Sequence, residues 1–449
     1  MDHSPSALLR PAGSRLHLGR AWLWLALAAL IGAGILALLL VLSRTPGIQD
    51  VFPLKDFFRA ALIVHVDLSV LVWFMAFGGL LWSLSSTDRC LVLGWAGFWF
   101  AVGGTVLIVI SPFFPDSHPL LNNYIPVLQH PVFFAGLWLA CGGFVLTLVR
   151  TLFTAFPPKP FGNAEGALRL GIFLSAAIGI LAMSGFVTSW LHHPEFLEGQ
   201  ALFELVFWGG GHTLQFQHAL LMAVAWLILL DALDAPARVS PWMLASLFIL
   251  AAAPVAAMPV LYALYPVGSP GHVAGFARLM EAGHPLMLPL IALVILALPR
   301  VLRSPASPAR SALLASLLLF LVGGVLAYMI RGVNVVIPAH YHGSIVGVTL
   351  AFMGLAYVLL PRFGYGTVKG KMACWQPYIY GGGQLLHVLG LAWSGGYGVQ
   401  RKVAGADQML TTLPQKIGMG MMGLGGLIAI IGGILFVVIC LRAMSRKSA

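Results

Sequence analysis

Long apolar runs alternate with short polar connectors along the whole sequence. Twelve runs are long enough for a helix to cross a bilayer, which takes about 20 residues. They lie near residues 21–43, 56–84, 91–112, 126–150, 168–191, 201–230, 241–265, 275–299, 311–330, 334–361, 376–397 and 414–442. The pattern predicts an all-α polytopic membrane protein with twelve transmembrane helices, which form a single integral membrane domain over residues 1–449.

The composition strengthens this prediction. Hydrophobic residues make up 59% of the 449 residues and charged residues only 9%, a balance that soluble domains do not have. With the N-terminus inside, 17 of the 25 Lys and Arg residues fall on the inner side, as the positive-inside rule requires. We therefore expect both termini in the cytoplasm, and the net charge of +11 needs no nucleic-acid partner.

Two histidines in the tenth run, His340 and His342, have a single residue between them. On an α-helix, residues i and i+2 point about 200° apart, so the two imidazoles leave opposite sides of the helix. One metal ion cannot bind both in that geometry, but two hemes that flank the helix could each take one. The alternative is that neighbouring carbonyl groups satisfy both imidazoles.

Histidines in two other runs are expected at a similar depth. His65 lies about ten residues into the second run, and His212 lies about eleven into the sixth. The three helices run in the same direction, so a rise of 1.5 Å per residue places all four imidazoles about 10–16 Å below the outer surface. Neutral imidazole is a good ligand for iron and copper, and the sequence therefore predicts a shared metal layer.

A pair of adjacent cations, Arg401 and Lys402, follows the eleventh run on the outer side, above the predicted layer. Heme propionates are anionic and need cationic partners at the membrane edge. Taken alone, the pair is a common interfacial feature. Beside a heme layer, it is expected to bind propionates.

The chain resembles the catalytic subunit I of the heme-copper oxidase superfamily, which includes oxygen reductases and nitric oxide reductases. The resemblance covers nearly the whole chain: twelve spans, a histidine in span two, one in span six, His-x-His in span ten and a basic pair after span eleven. It implies that His65 and His342 are the axial ligands of a low-spin heme b. It also implies that His340 is the sole protein ligand of a high-spin heme b, and that Arg401 and Lys402 hold propionates.

The resemblance further implies a non-heme metal, copper or iron, bound by His212. The family completes this site with two adjacent histidines in span seven, where this chain has Tyr262 and Ala263. Glu281 and His284, early in span eight, are the candidate replacements, although His284 could instead cap a helix or face lipid headgroups. Three other histidines are expected to be structural or interfacial: His218, His272 and His387.

Few residues of this chain could form the proton path from the inner side of the membrane that oxygen reductases need. That class often has a lysine in span eight and a tyrosine cross-linked to a metal-ligating histidine. Here residues 285–298 carry no ionisable side chain, and Phe216 stands four residues after His212. Tyr262 or Tyr265 could supply the tyrosine from span seven instead.

Acidic residues near the outer face favour protons drawn from outside, as in nitric oxide reductases. Glu204 and Glu281 are such residues. The leading interpretation is therefore reduction of two NO to N2O and water, with His340, His212, Glu281 and Tyr262 as the catalytic set. The alternatives are a terminal oxygen reductase, a heme-carrying electron-transfer or gas-binding subunit that lacks the copper site, and a transporter with buried histidines.

The partners follow from the same resemblance. The chain contains no soluble electron-entry module, so a donor subunit with a cytochrome c or cupredoxin-like centre, or a quinol, is implied. The four cysteines form no CxxCH motif, so no heme is attached through thioether bonds. The implied setting is the respiratory chain of a bacterial inner membrane, with a small gas, NO or O2, as substrate.

Overall fold

Helices dominate the computed structural model, which describes residues 13–43, 55–157, 159–401 and 410–446. Within these ranges the chain forms sixteen α-helices and one two-stranded antiparallel sheet. The helices are α1 (Ser14–Ser43), α2 (Lys55–Val66), α3 (Trp73–Ser85), α4 (Leu91–Ile110), α5 (Pro131–Thr154), α6 (Ala164–Leu191), α7 (Gly199–Val206), α8 (Trp208–Ala232), α9 (Pro241–Ala252), α10 (Ala257–Leu264), α11 (Pro270–Gly283), α12 (Leu288–Arg303), α13 (Pro308–Met329), α14 (Val336–Arg362), α15 (Lys371–Gly396) and α16 (Leu413–Met444). The strands are β1 (His118–Leu120) and β2 (Val127–Gln129).

Eleven helical segments of the described ranges are long and apolar enough to cross a membrane. The predicted run 376–397 corresponds to α15, which has 26 residues but is not among the eleven. Its polar Gln376, Gln384 and His387 lower its hydropathy. The all-α polytopic fold predicted from the apolar runs is thus confirmed.

Several spans consist of two helices joined at a break. A π-helical turn, Asp67–Val72, joins α2 to α3, and 3-10 turns at Ala253–Ala256 and His284–Met287 interrupt spans seven and eight. Pro254 and Pro285 lie in these last two turns. Proline has no N–H to donate, so it interrupts the helical hydrogen bonds at these points.

The observed edges correct three of the predicted runs. Run 126–150 begins later, at Pro131, because 127–129 belongs to the hairpin. Run 275–299 begins earlier, at Pro270, where the Ser269 hydroxyl accepts a hydrogen bond from the His272 N–H and caps α11. Run 201–230 is interrupted at Phe207, which separates α7 from α8.

By its internal contacts the chain divides into two compact units. Unit 1 comprises residues 1–224 and 237–296, and unit 2 comprises residues 225–236 and 297–449. The prediction of a single integral domain over residues 1–449 stays a prediction.

Within unit 1, three arginines bind the carbonyl groups at the end of α3. Arg169 donates to Ser85, Arg15 donates to Ser86, and Arg150 donates to Thr87 over 2.7 Å. The last carbonyls of a helix have no partner inside it and carry partial negative charge, so cations stabilise this end. Arg150 is almost fully buried in this role.

Within unit 2, α13 and α14 cross closely where Gly323 faces Gly343. A Cβ added at Gly343 would lie 2.7 Å from the Cα of Gly323, so no larger residue fits without a shift of the helices. A core of apolar side chains from α13, α14, α15 and α16 surrounds this crossing and includes Ala339 and Val388. The region around His340 is therefore tightly packed.

Candidate functional site

His340 and His342 face different neighbours of α14, both within unit 2. The Nδ1 of His340 lies 2.8 Å from the carbonyl oxygen of Gly323, on α13. The ring of His342 lies 4.8 Å from the ring of His387, on α15. The α-helical geometry thus directs the two imidazoles to different sides, as the spacing of two residues predicts.

The hydrogen bond of His340 leaves its Nε2 for a metal. A carbonyl oxygen can only accept, so Nδ1 carries the proton and donates it to Gly323. Metal-ligating histidines are commonly held this way, with one nitrogen donating to a carbonyl and the other free for the metal. His387 is held in the same manner, because its Nδ1 lies 2.9 Å from the carbonyl oxygen of Met422.

In unit 1, His65 repeats this arrangement on α2. Its Nδ1 lies 2.8 Å from the carbonyl oxygen of Ala33, on α1, so Nδ1 donates and Nε2 carries the lone pair. Asp67 follows two residues later, at the start of the π-helical turn, and is almost fully buried. Neither oxygen of its carboxyl group has a hydrogen-bond partner among the described residues.

These residues fit heme groups. His65 and His340 are oriented by backbone carbonyls, as axial ligands require. Arg401 is half-buried, and its buried Nε has no hydrogen-bond partner within the described ranges, so it could donate to a propionate. Lys402, the other predicted propionate partner, lies outside the described residues.

His212 lies on α8 in unit 1 and is held by two oxygen atoms. Its Nδ1 lies 2.6 Å from the carbonyl oxygen of Trp208 and 2.9 Å from the hydroxyl oxygen of Tyr124. The carbonyl fixes the proton on Nδ1, so Nε2 again carries the lone pair. Burial raises the pKa of the Tyr124 hydroxyl, which therefore stays protonated well above neutral pH.

Three consecutive glycines before His212 allow aromatic rings to approach α8. A Cβ at Gly209 would overlap Tyr262 and Phe276, one at Gly210 would overlap Phe186, and one at Gly211 would overlap Tyr124. The glycine run thus brings side chains from α10, α11, α6 and the connector 114–130 against a single turn of α8.

Tyr262, predicted from the sequence to stand in place of a family histidine, lies on α10. Its hydroxyl donates to the carbonyl oxygen of Gly185 over 2.9 Å and lies 2.7 Å from the Ser189 hydroxyl. Its ring is 5.2 Å from the ring of His272. Tyr262 therefore lies between Gly209, in the turn of α8 before His212, and His272 on α11.

The structure packs His272 against Tyr262, although the sequence predicted only a structural or interfacial role for this histidine. His272 is fully buried, and its ring lies 5.1 Å from Phe276, which also packs against the His212 ring. Phe276 thus contacts both histidines. The early start of α11 carries His272 into the protein, and the Ser269–Pro270 pair is the sequence signal of that start.

The two predicted replacement ligands lie elsewhere on the same span. His284 packs with its ring 4.3 Å from Phe216, one turn of α8 beyond His212. Glu281 is exposed, whereas the buried residues of α11 form one stripe: His272, Phe276, Leu279 and Gly283. Glu281 points about 200° from Leu279, away from that stripe. Their roles as metal ligands stay predictions.

Two consecutive connector residues, Asn123 and Tyr124, contact Glu204 and His212 respectively. The Asn123 amide donates to the Glu204 carboxylate over 3.2 Å, and the next residue, Tyr124, contacts His212. Glu204 lies on α7, directly before the break at Phe207. The sequence pattern indicates Glu204 but not Asn123 and Tyr124, because these two residues lie in a connector with no periodic pattern.

His212 and His340 occupy equivalent positions in their helices. Each is four residues after the first residue of its helix, Trp208 in α8 and Val336 in α14. This corresponds to about 6 Å along each helix axis from its first residue. The predicted depth of about 10–16 Å below the outer surface stays a prediction. Within the described residues, no group of three or more His, Cys, Asp or Glu side chains is placed to hold a metal ion.

These observations define an all-α polytopic membrane protein in which His65, His212 and His340 each donate from Nδ1 to a backbone carbonyl group. The family described as cytochrome c and quinol oxidase polypeptide I matches residues 17–435. The chain belongs to this family. It is thus a membrane oxidoreductase of the heme-copper oxidase subunit I type, and its family binds hemes, electron donors and small gases.

Two relatives align with most of the length of this chain. An uncharacterized protein of Rickettsia prowazekii (strain Madrid E) is 29% identical, and the alignment covers 95% of this chain and 96% of the relative. An uncharacterized protein of Aquifex aeolicus (strain VF5) is 30% identical, over 80% of this chain and 88% of the relative. The similarity therefore extends through nearly the full length of both relatives.

Proposed function

We propose that this protein reduces two NO to N2O and water, with two electrons from a donor and two protons from the outer side of the membrane. The observation that carries the choice of NO is the Glu204 carboxylate, which Asn123 holds beside Tyr124, the residue that contacts His212. Glu204 lies near the expected outer end of its span. Residues 285–298, by contrast, contain no ionisable side chain.

The cofactors in this proposal are a low-spin heme b with His65 and His342 as axial ligands and a high-spin heme b with His340. When bound, the hemes supply the electron transfer and the gas chemistry. The protein orients the ligands: Gly323 accepts the Nδ1 proton of His340, and Ala33 accepts that of His65. Arg401 and Lys402 would bind the propionates.

The proton path would start at Glu204 in this proposal. Its carboxylate accepts a hydrogen bond from Asn123, whose neighbour Tyr124 keeps its own hydroxyl proton because of burial. Glu281, which is exposed on α11, would be a second acid at the same membrane edge. Tyr262 would limit the size of the pocket, since Ser189 and Gly185 fix its hydroxyl.

Oxygen reduction is the second candidate, and Tyr262 is the observation that favours it. A tyrosine beside a metal-ligating histidine is a feature that oxygen reductases share, and here the Tyr262 ring lies 5.2 Å from His272. The absence of an ionisable residue in 285–298 argues against it. A heme subunit without catalytic activity would show neither reaction.

The proposal includes the surroundings of the protein. Both termini would be cytoplasmic in a bacterial inner membrane, and a cytochrome c, a cupredoxin-like subunit or a quinol would deliver electrons. The inner-side excess of Lys and Arg supports this orientation.

The test uses the purified full-length protein in detergent, with a chemical reductant and mediator as electron source. We expect NO consumption at an electrode, with one N2O formed for every two NO, and little O2 uptake under the same conditions. Rapid O2 uptake without NO turnover would favour the second candidate. A heme-containing preparation that consumes neither gas would contradict both.

A further inference from the structure

His272 is a buried imidazole with no hydrogen bond. Its side chain has no exposed surface, and neither Nδ1 nor Nε2 has a hydrogen-bond partner among the described residues. Such a group is costly to bury, and native proteins satisfy almost all buried polar side chains. A partner that is not part of the described protein is therefore expected at this ring.

The position of the ring is well fixed. His272 lies in the first turn of α11, where its backbone N–H donates to the Ser269 hydroxyl. Tyr262 and Phe276 pack against the ring at 5.2 and 5.1 Å. Positive charge is disfavoured at the N-terminal end of a helix, so the imidazole is neutral, the form that binds metals.

His212, on α8, packs against one of the two rings that contact His272. Its ring lies 6.2 Å from the ring of Phe276, against which the His272 ring also packs. Its Nδ1 is held by Trp208 and Tyr124, so Nε2 is the nitrogen left for another partner. Two imidazoles, from α8 and α11, thus pack against the same ring, Phe276.

Tyr262 does not satisfy His272. Its hydroxyl already donates to Gly185 and contacts Ser189. Phe276, the other ring that packs against His272, carries no donor or acceptor. No side chain of the described residues satisfies His272, and first-row transition metals are the ions that imidazole nitrogens prefer.

We propose that His212, through Nε2, and His272 together bind a divalent first-row transition-metal ion. His272 would take the part that the family gives to histidines of span seven, where this chain has Tyr262 and Ala263. The remaining coordination positions are open to water or to a small gas, as in catalytic metal sites. The proposal deepens the proposed function, since it names the second ligand of the non-heme metal.

The test is metal analysis of the purified full-length protein with its hemes. We expect wild type to contain about one non-heme transition metal per chain beyond the heme iron, or to acquire one on incubation with Cu²⁺ and gel filtration. His272→Ala and His272→Gln should lose at least four-fifths of this metal while heme content and the reduced spectrum stay unchanged. His192→Ala, an exposed histidine at the end of α6, is the matched control and should keep it.

X-ray absorption at the copper edge of the Cu²⁺-loaded wild type gives a second measurement that needs no variant. Two imidazole ligands would support the proposal, and one would contradict it. His284→Ala should keep the metal. Full metal content in both His272 variants, its loss in His284→Ala alone, or heme-replete wild type that binds no Cu²⁺ would overturn the proposal.

Heme content separates this proposal from the proposed function. A protein without heme but with a copper ion on two imidazoles would contradict the proposed function and keep the metal site. A protein with both hemes and no NO turnover, but with metal lost in His272→Ala, would do the same. A protein with NO turnover and no non-heme metal would leave the proposed function and remove the site.

Discussion

The histidines of α14 and those of α8 and α11 present two different problems for prediction. On α14, His340 and His342 are two residues apart, and the helix alone sends them to different neighbours, α13 and α15. Around α8, His212 contacts Tyr124 from a connector, and it shares the Phe276 ring with His272 from the start of α11. The first arrangement depends on helix geometry, and the second on contacts between distant segments.

The difference extends to the hydrogen bonds. His340 has its Nδ1 proton fixed by the Gly323 carbonyl, so its chemistry is set by a backbone atom. His272 has no partner for either nitrogen within the described ranges. A histidine with one nitrogen fixed is prepared for a single axial ligand role, whereas a histidine with none fixed needs its partner for stability.

The largest expected effect comes from removing the imidazole on α14. His340→Ala should abolish NO turnover and the CO-sensitive part of the reduced spectrum, because no other ligand would hold the high-spin heme. The low-spin band should remain. His65→Ala is the matched variant and should remove the low-spin band instead. If either variant leaves both signals intact, the ligand assignment is wrong.

The Glu204→Gln variant tests whether the Glu204 carboxyl group supplies protons for the reaction. Glu204→Gln keeps the side-chain shape and the hydrogen bond with Asn123 but cannot carry a proton, so turnover should fall about a hundredfold. Glu281→Gln, an exposed acid on the same side, should fall less. The measurement is NO consumption by the purified variants at matched heme content. Equal rates for Glu204→Gln and wild type would exclude this path.

Gly211 tests the packing that positions Tyr124. Gly211→Ala places a Cβ against the Tyr124 ring and should destabilise the protein by about 1–3 kcal/mol, with a lower thermal midpoint in detergent. Gly324→Ala is the control, since an added Cβ on that turn of α13 meets nothing within 4 Å. Similar midpoints for the two variants would mean that Tyr124 does not approach α8 this closely.

The smallest effect is expected for Tyr124→Phe. It removes one contact to the His212 Nδ1, while the Trp208 carbonyl still accepts the proton. One neutral hydrogen bond contributes about 1 kcal/mol, so turnover should fall by less than about tenfold. A loss as large as that of Glu204→Gln would assign the tyrosine a direct part in proton transfer. The comparison of these two variants therefore separates orientation from transport.

Much of the fold could be predicted from the apolar pattern. The runs gave the helical spans, because a bilayer leaves few alternatives to a helix for twenty apolar residues. Their edges were less predictable where Ser269–Pro270 started α11 early and where Phe207 separated α7 from α8. Local caps and breaks decide such positions, and hydropathy does not detect them.

The candidate site was predictable only where it followed from one helix. The separation of His340 from His342 needs nothing beyond 3.6 residues per turn. Tyr124 lies 88 residues before His212, in a connector, and no periodicity points to it. His272 was expected to be structural or interfacial, and the predicted run began at 275, whereas α11 begins at Pro270 and includes this histidine.

The optical spectrum of the reduced full-length protein, with and without CO, tests the central claim most directly. The proposal assigns His65 and His342 to one heme and His340 alone to the other. It predicts a low-spin b-type band that CO leaves unchanged. It also predicts a second fraction that CO shifts. A colourless protein, or a heme spectrum with no CO-sensitive fraction, would contradict the account.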